Sequence, residues 1–397
     1  MEFKISPRAT KTTYILMGVG LLATAIGWAT DDSEHHMRPW ANLLVNGFFF
    51  FAIALGALFF LALQYAAEVA WSAVLKRVFE GVIGYLPYGA VALIIVFAAG
   101  SGHIHHIYHW MADGVTEEGS EHYDKIIAGK SAYLNQAFFW IRTLVYFAVF
   151  IFFARTFRKR SLLEDQQGGT AIHFTNFKKA AIFLVLFAYF SSTLSWDWLM
   201  SIDTHWYSTL YGWYVFSGMW VSAMVTFMVI IFYLKSKGHL PNVNESHIHD
   251  IGKWIFAISF LWSYLWFFQF QLIWYANIPE EATYYLFRIE YYKLPYFGMF
   301  LINFILPMLL LMSREAKRNP RVLMGVGFII FIGHWLDVYC LIMPGTVGQN
   351  WGFGLLEIGM FIMFLGLFIN VVLRELSKAP LSVSHHPYLD ESIHHHI

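Results

Sequence analysis

Several ionisable and amide side chains fall where hydrocarbon, not water, should surround them. His334 and Asp337 are three residues apart and share one face of a helix through them. A histidine beside a carboxylate can take up a proton and pass it on. The same pair also reads as mutually satisfying and structural, because a nearby carboxylate lowers the cost of burying an imidazole. Glu357 follows on the next apolar run, roughly 10 Å along a helix counted from Asn350. Arg142, preceded by Asn135 and Gln136, is equipped to fix an anion, and its charge calls for one of the acids as partner. Asp197 stands in Trp196-Asp197-Trp198, with Asp203 and His205 close behind, where they also read as ordinary loop residues. His103 and His106, within Gly102-His103-Ile104-His105-His106-Ile107-Tyr108-His109, repeat the three-residue spacing. Gln64 and Glu68, one helical turn apart, either begin a proton path from the other side or leave Glu68 to pair with Lys76 or Arg77.

This inventory suits proton-coupled work on an amphiphile. Histidine and carboxylate take protons from a hydroxyl, arginine fixes an anion, and aromatic walls hold a ring. A quinol fits that description. Its oxidation releases protons and electrons together, so a membrane chain can bind and deprotonate it while an iron-sulfur partner accepts the electrons. The single cysteine, Cys340, excludes a disulfide framework, a four-cysteine cluster and a Cys-x-x-Cys-His haem attachment. Only His334 lies well inside an apolar run, so no haem, cluster or other metal is assigned to this chain. Zinc or copper on His103, His105, His106 and His109 is the alternative. His394-His395-His396 reads as solvent-facing.

The elements that must position these groups follow from composition. Of 397 residues, 58% are hydrophobic and only 13% charged, about half the charge of a soluble domain. Apolar runs long enough to cross about 30 Å of hydrocarbon occur near 12–30, 42–66, 83–108, 133–156, 179–200, 210–234, 253–276, 294–312, 322–343 and 352–373. Runs this continuous lack the alternation of barrel strands, and lipid offers the backbone no partner, so they must be helices. The predicted fold is all-α and polytopic, with ten transmembrane helices, the first of them retained rather than cleaved as a signal. On that topology His334 and Asp337 lie roughly 20 and 24 Å from Arg321.

The 26 Lys and Arg test the count. With ten spans, twenty of them fall on the side of the two ends and five on the other, with Arg142 inside a span. The positive-inside rule then predicts cytoplasmic termini. Equal numbers of acidic and basic residues argue against a nucleic-acid partner. The outer side is acidic and histidine-rich, with Asp113, Glu117, Glu118, Glu121 and Asp124 in its longest loop. That loop reads either as solvated charge or as a docking surface. Trp196, Trp198, Trp206, Tyr207, Tyr211 and Trp213 read as an interfacial belt.

The segment Ser195-Trp196-Asp197-Trp198-Leu199-Met200-Ser201-Ile202-Asp203, with Trp206, Ser208, Thr209 and Tyr214 after it, and the run Phe268 to Ile278 continuing into Pro279-Glu280-Glu281, resemble the NrfD-type (polysulfide-reductase-like) membrane subunits of alternative complex III, in particular the ActF-like ones. The resemblance runs over essentially the whole chain. It implies two four-helix bundles flanked by a helix at each end, with boundaries at 1–41, 42–205, 206–349 and 350–397. It also implies a place in a quinol:cytochrome c or quinol:oxidase assembly, a respiratory electron-transport complex. The partners would be a homologous ten-helix subunit, an iron-sulfur subunit, multihaem cytochrome c subunits and a terminal oxidase, with haem c and iron-sulfur clusters confined to those partners. His334, Asp337, Glu357, Asp197, Asp203, His205, Arg142, Gln64 and Glu68 become candidate proton carriers in such a subunit. His103, His106, Arg142 and Asp197 become candidate contacts for menaquinone or another quinone. A secondary transporter and a purely structural subunit are the competing readings.

Overall fold

The computed structural model describes residues 3–397. Among them the regular structure is helical without strands, and ten helices are long and apolar enough to cross a membrane. We label them α1 (Pro7–Ala29), α2 (Glu34–Ala66), α3 (Ala73–Ser101), α4 (Gln136–Gln167), α5 (Ala171–Ile202), α6 (Tyr211–Ser236), α7 (Glu245–Ala276), α8 (Lys293–Leu310), α9 (Pro320–Thr346) and α10 (Leu355–Ser377). An even number of crossings puts both ends of the described chain on one face, here the terminal face; the opposite one is the distal face.

The helices start where side chains can serve the first free N–H groups. Ser6 Oγ accepts from the Ala9 N–H at 3.2 Å with Pro7 next to it, Asn135 Oδ1 from Phe138 at 2.9 Å, and Asn244 and Asn319 do the same for α7 and α9. α2 is apolar all round through Phe48–Leu63, the pattern of a helix enclosed by others. It is buried over most of its length and packs on α3, α5, α6, α9 and α10. Its approach to α6 depends on Gly56, where a Cβ would sit 2.6 Å from the Met219 carbonyl oxygen. α1 lies outside this group and packs on α10, where a Cβ on Gly359 would sit 2.6 Å from that of Ala23. Small residues of this kind let helices approach closely in lipid.

Three departures from the sequence expectation affect the site. α3 begins at Ala73, ten residues earlier than its apolar run, and ends at Ser101. Its end is a Schellman turn: His103 is left-handed at φ 55°, its N–H bonds the Gly100 carbonyl, and the Ile104 N–H bonds Ala99 at 2.9 Å. His103 and His106 therefore share no helix face. α2 ends the same way, with Glu68 left-handed at φ 49° and the Val69 N–H on Gln64, so Gln64 and Glu68 are not on one face either. The expected aromatic belt is half interior: Trp198 and Tyr211 are buried, Trp206 stacks on Tyr284 at 3.8 Å, and only Tyr207 and Trp213 of that group are well exposed.

Candidate functional site

Asp197, near the distal end of α5, is fully enclosed. Arg142 on α4 grips it with two bonds, from Nε and Nη2, both at 2.8 Å, and the Tyr146 hydroxyl donates at 3.0 Å. The guanidinium also donates to the Tyr133 carbonyl at 3.1 Å and lies over the Tyr133 and Phe138 rings at 3.9 and 4.1 Å. A planar fork matched to a carboxylate, with its remaining donor used and aromatic rings on its faces, compensates a buried charge well. The structure thus gives Arg142 the acidic partner its burial demanded. It does not bring His103 or His106 to this pair. His103 is partly exposed beside Asp113 at 3.7 Å, and His106 sits edge-on to His35 with ring centres 4.6 Å apart.

Asp337 is different. It is buried on α9, nine residues or about 14 Å from the distal end of that helix. Its carboxylate accepts from the Tyr214 hydroxyl of α6 and from Trp262 Nε1 of α7 at 2.8 Å. Neither donor carries charge. The nearest candidate cation is His334, whose Nδ1 is 3.6 Å from Oδ2 and whose two ring nitrogens have no hydrogen-bond partner among the described residues. The expected shared face of His334 and Asp337 is present. Two small cavities touch the carboxylate. One, of about 10 Å³, is lined on the distal side by Gln269, Tyr284, Tyr285 and Arg288; the other, of about 20 Å³, lies among Phe48, Gly218, Ser222 and His334. Each is on the scale of a single water, far below the several hundred Å³ of a pocket for a ring-bearing ligand.

From Asp337 the polar chain runs outward. Arg288 belongs to a short distal helix, Pro279–Tyr291, and is buried. It donates to Asp203 at 3.0 Å and to the carbonyls of Tyr284 and Cys340, and lies 3.3 Å over the Tyr284 ring. Burial works against the Arg288 charge, but Tyr284 and Asp203 outweigh it and raise the guanidinium pKa above its ordinary value. Asp203 is 26% exposed, so this line reaches the distal surface. His205 is not on it. That ring pairs with Asp124 at 2.6 Å and is 56% exposed. Burial opposes ionisation of Asp124, but the N–H groups of Ile127 and Ile126 and the His205 ring hold its carboxyl below the usual range.

Glu357 does not join Asp337. It lies in the first turn of α10, not 10 Å along a helix, because the residues from Val347 to Gly354 are not helical. Arg38 Nε and Nη2 donate to it at 2.7 and 3.0 Å, Asn42 at 3.1 Å, and its own Gly354 N–H at 2.8 Å. Arg38, which lies between the first two apolar runs and counts among the five distal charges, belongs to the first turn of Met37–Ala66.

On the terminal side Gln64 faces inward, whereas Glu68 is exposed and accepts from Tyr388 at 3.3 Å. Lys76 and Arg77, read as loop charges and as partners for Glu68, are buried in the first turn of Lys76–Ile83. Lys76 pairs with Glu164 at 2.6 Å, Arg77 with Glu80 at 2.5 Å and with Asp165, and Arg158 with Glu80 at 2.6 Å. Sequence reading missed this network. A partial signal was there in one spacing, Arg77 with Glu80, which places both signs on one helical turn. Among the described residues no three His, Cys, Asp or Glu side chains converge as metal ligands, and Cys340 is buried inside α9.

No family model and no curated protein matches the chain. The fold and the site define an all-α integral membrane protein with ten spanning helices.

Proposed function

We propose that this membrane protein conducts protons between its distal face and Asp337, as a subunit of a quinol:electron-acceptor oxidoreductase of the alternative complex III type. One observation carries the conduction: Asp337 is a buried carboxylate with no fixed cation, set between two water-sized cavities and beside an unpartnered histidine. Such a group can change charge by exchanging a proton with His334 on one side and with a water beside Gln269 and Arg288 on the other. Asp203 opens that line to solvent. The assembly is supported by the resemblance of Ser195–Asp203 and Phe268–Glu281. In it, quinol oxidation would supply protons, and an iron-sulfur partner on the distal side would take the electrons. The Lys and Arg excess supports a cytoplasmic terminal face.

Conduction is favoured over a quinone pocket at Asp337 or Asp197 because the cavities at Asp337 are too small for a ring and Asp197 is held by Arg142 and Tyr146. The test uses the native assembly purified from membranes and reconstituted in vesicles. Asp337→Asn is expected to lower quinol-driven proton movement by roughly 100-fold, the scale of a lost acid-base group, with subunit composition unchanged. Full proton movement in Asp337→Asn overturns conduction. Absence of co-purifying multihaem and iron-sulfur subunits overturns the assembly.

A further inference from the structure

On the terminal side, a second enclosed polar site is closed by a part of the chain that the reading of Asp337 does not use. A cavity of about 20 Å³ lies between α2, α3, α5 and the segment after α10, lined by Gln64, Tyr65, Lys76, His173 and His386. That is room for one water. Gln64 Oε1, the Tyr65 hydroxyl and both nitrogens of His173 have no hydrogen-bond partner among the described residues, and all three side chains are more than nine-tenths buried. Gln64 Oε1, the Tyr65 hydroxyl and one nitrogen of His173 around a water-sized space are what a bound water satisfies, since leaving each one bare costs about 1–3 kcal/mol.

The charged and titratable groups around His173 come from every side. Glu164 of α4 places Oε1, itself without a hydrogen-bond partner, 3.9 Å from Nδ1. Lys76 of α3 is tied to the other oxygen of Glu164 at 2.6 Å. Tyr65 of α2 and, from beyond α10, His386 and Tyr388 pack ring to ring with His173 at centroid distances of 5.9, 5.0 and 5.2 Å, and Tyr388 reaches on to Glu68.

The segment carrying His386 and Tyr388 is a strap laid across the terminal face. His385 Nδ1 donates to the Asp165 carbonyl at 2.6 Å, Ser392 Oγ to the Trp71 carbonyl at 2.8 Å, and His395 pairs with Asp250 at 2.6 Å. The Ile397 carbonyl accepts from Arg314 and Arg318, both at 2.7 Å. The histidine run expected to face solvent is thus partly anchored. Burial holds His386 down to about 2, so it covers the cavity as a neutral ring.

We propose that His173, Gln64 and Tyr65 hold one exchangeable water in a protonatable site, and that His386 of the strap is the lid controlling exchange between that water and solvent on the terminal face. The ligand is water; the exchanged group is a proton, which enters from solvent onto that water as the water passes one of its own protons to a nitrogen of His173, so that the water stays neutral and the imidazolium lies beside Glu164. The strap pivots on its bonds to the Asp165 and Trp71 carbonyls, and lifting His386 exposes the cavity without unfolding α5.

Histidine C2-hydrogen exchange into deuterium, read by mass spectrometry on the full chain in nanodiscs across the histidine titration range, tests both parts. In the unaltered protein His173 is expected to exchange, more slowly than exposed His122. His386→Ala is expected to speed His173 by about 10-fold, the scale of a lost local closure, while His334 is unmoved. No exchange at His173 in the unaltered protein, with His122 exchanging normally, overturns the hydrated site. An unchanged His173 rate in His386→Ala overturns the lid. Tyr388→Phe, which frees Glu68 and loosens the same strap, is expected to speed His173 by a smaller factor, and it serves if His386→Ala does not assemble. Neither outcome depends on proton movement through Asp337.

Discussion

Asp197 and Asp337 are both buried aspartates in the distal half of the molecule, and each accepts a tyrosine hydroxyl. They differ in what balances their charge. Asp197 has Arg142 as a permanent cation in a two-bond grip, with its rings and carbonyl partner filled in around it. Asp337 has neutral donors from Tyr214 and Trp262, and a histidine at 3.6 Å that bonds nothing. The first arrangement fastens α4 to α5. The second leaves Asp337 without a fixed cation, and two water-sized cavities adjoin it. Burial of an ionisable group in a membrane therefore does not by itself indicate transport; the identity of the countercharge does.

The largest expected effect is on the fastened pair. Arg142→Ala leaves Asp197 buried without its cation and is expected to cost about 3–5 kcal/mol, read as a loss of unfolding free energy in detergent. Removing both charges in Arg142→Ala with Asp197→Ala should recover part of it. His334→Gln, which breaks no hydrogen bond in this structure, is expected to cost less than about 1.5 kcal/mol. Equal costs for Arg142→Ala and His334→Gln would erase the contrast between the two clusters.

The same contrast extends to the histidines. His105, just beyond α3, is buried with Nε2–H on the Val96 carbonyl at 2.9 Å and Nδ1 accepting from the Ile107 N–H at 3.3 Å. A carbonyl only accepts, so this neutral tautomer is fixed. Burial, opposed by the bond to Val96, holds the ring down to about 4 from 6.5. A folded-state value below the unfolded one means that the stability contribution is complete above about pH 6.5 and falls as the pH drops through about 4. The loss is at most about 3 kcal/mol. His105→Gln, which keeps a donor for Val96, is expected to flatten that acid limb when unfolding is followed against pH; an unchanged limb would mean His105 is not the responsive group.

How much of this was legible in the sequence depends on whether the partner lay nearby. Span number and helical class were legible because twenty consecutive apolar residues admit few structures, and His334 with Asp337 because three residues separate them. The need for an acid at Arg142 was legible, its identity was not, since Asp197 lies 55 residues away. Arg38 looked like loop charge because its partner Glu357 is 319 residues distant. Lys76 and Arg77 lie outside the apolar runs and read as loop charges because charge was equated with exposure, and a closed ion network breaks that equation. The helix ends at His103 and Glu68 were lost because left-handed turns are commonly marked by glycine or asparagine, and here a histidine and a glutamate take the position.

The smallest expected effect separates two acids that sequence had joined. Asp337 and Glu357 were both candidate proton carriers, and members of one protonic network would couple. In the structure their direct partners are Tyr214, Trp262 and His334 for one, and Arg38, Asn42 and the Gly354 N–H for the other, with none in common. Asp337→Asn and Glu357→Gln should therefore be additive in unfolding free energy, with an interaction term under about 0.5 kcal/mol. Glu357→Gln keeps one oxygen for Arg38 but loses the symmetric grip, so its own effect belongs to stability and not to proton movement. An interaction term above about 1 kcal/mol would mean that waters link the Arg38 and Asp337 clusters, and the distal half would then hold one network rather than two independent ones.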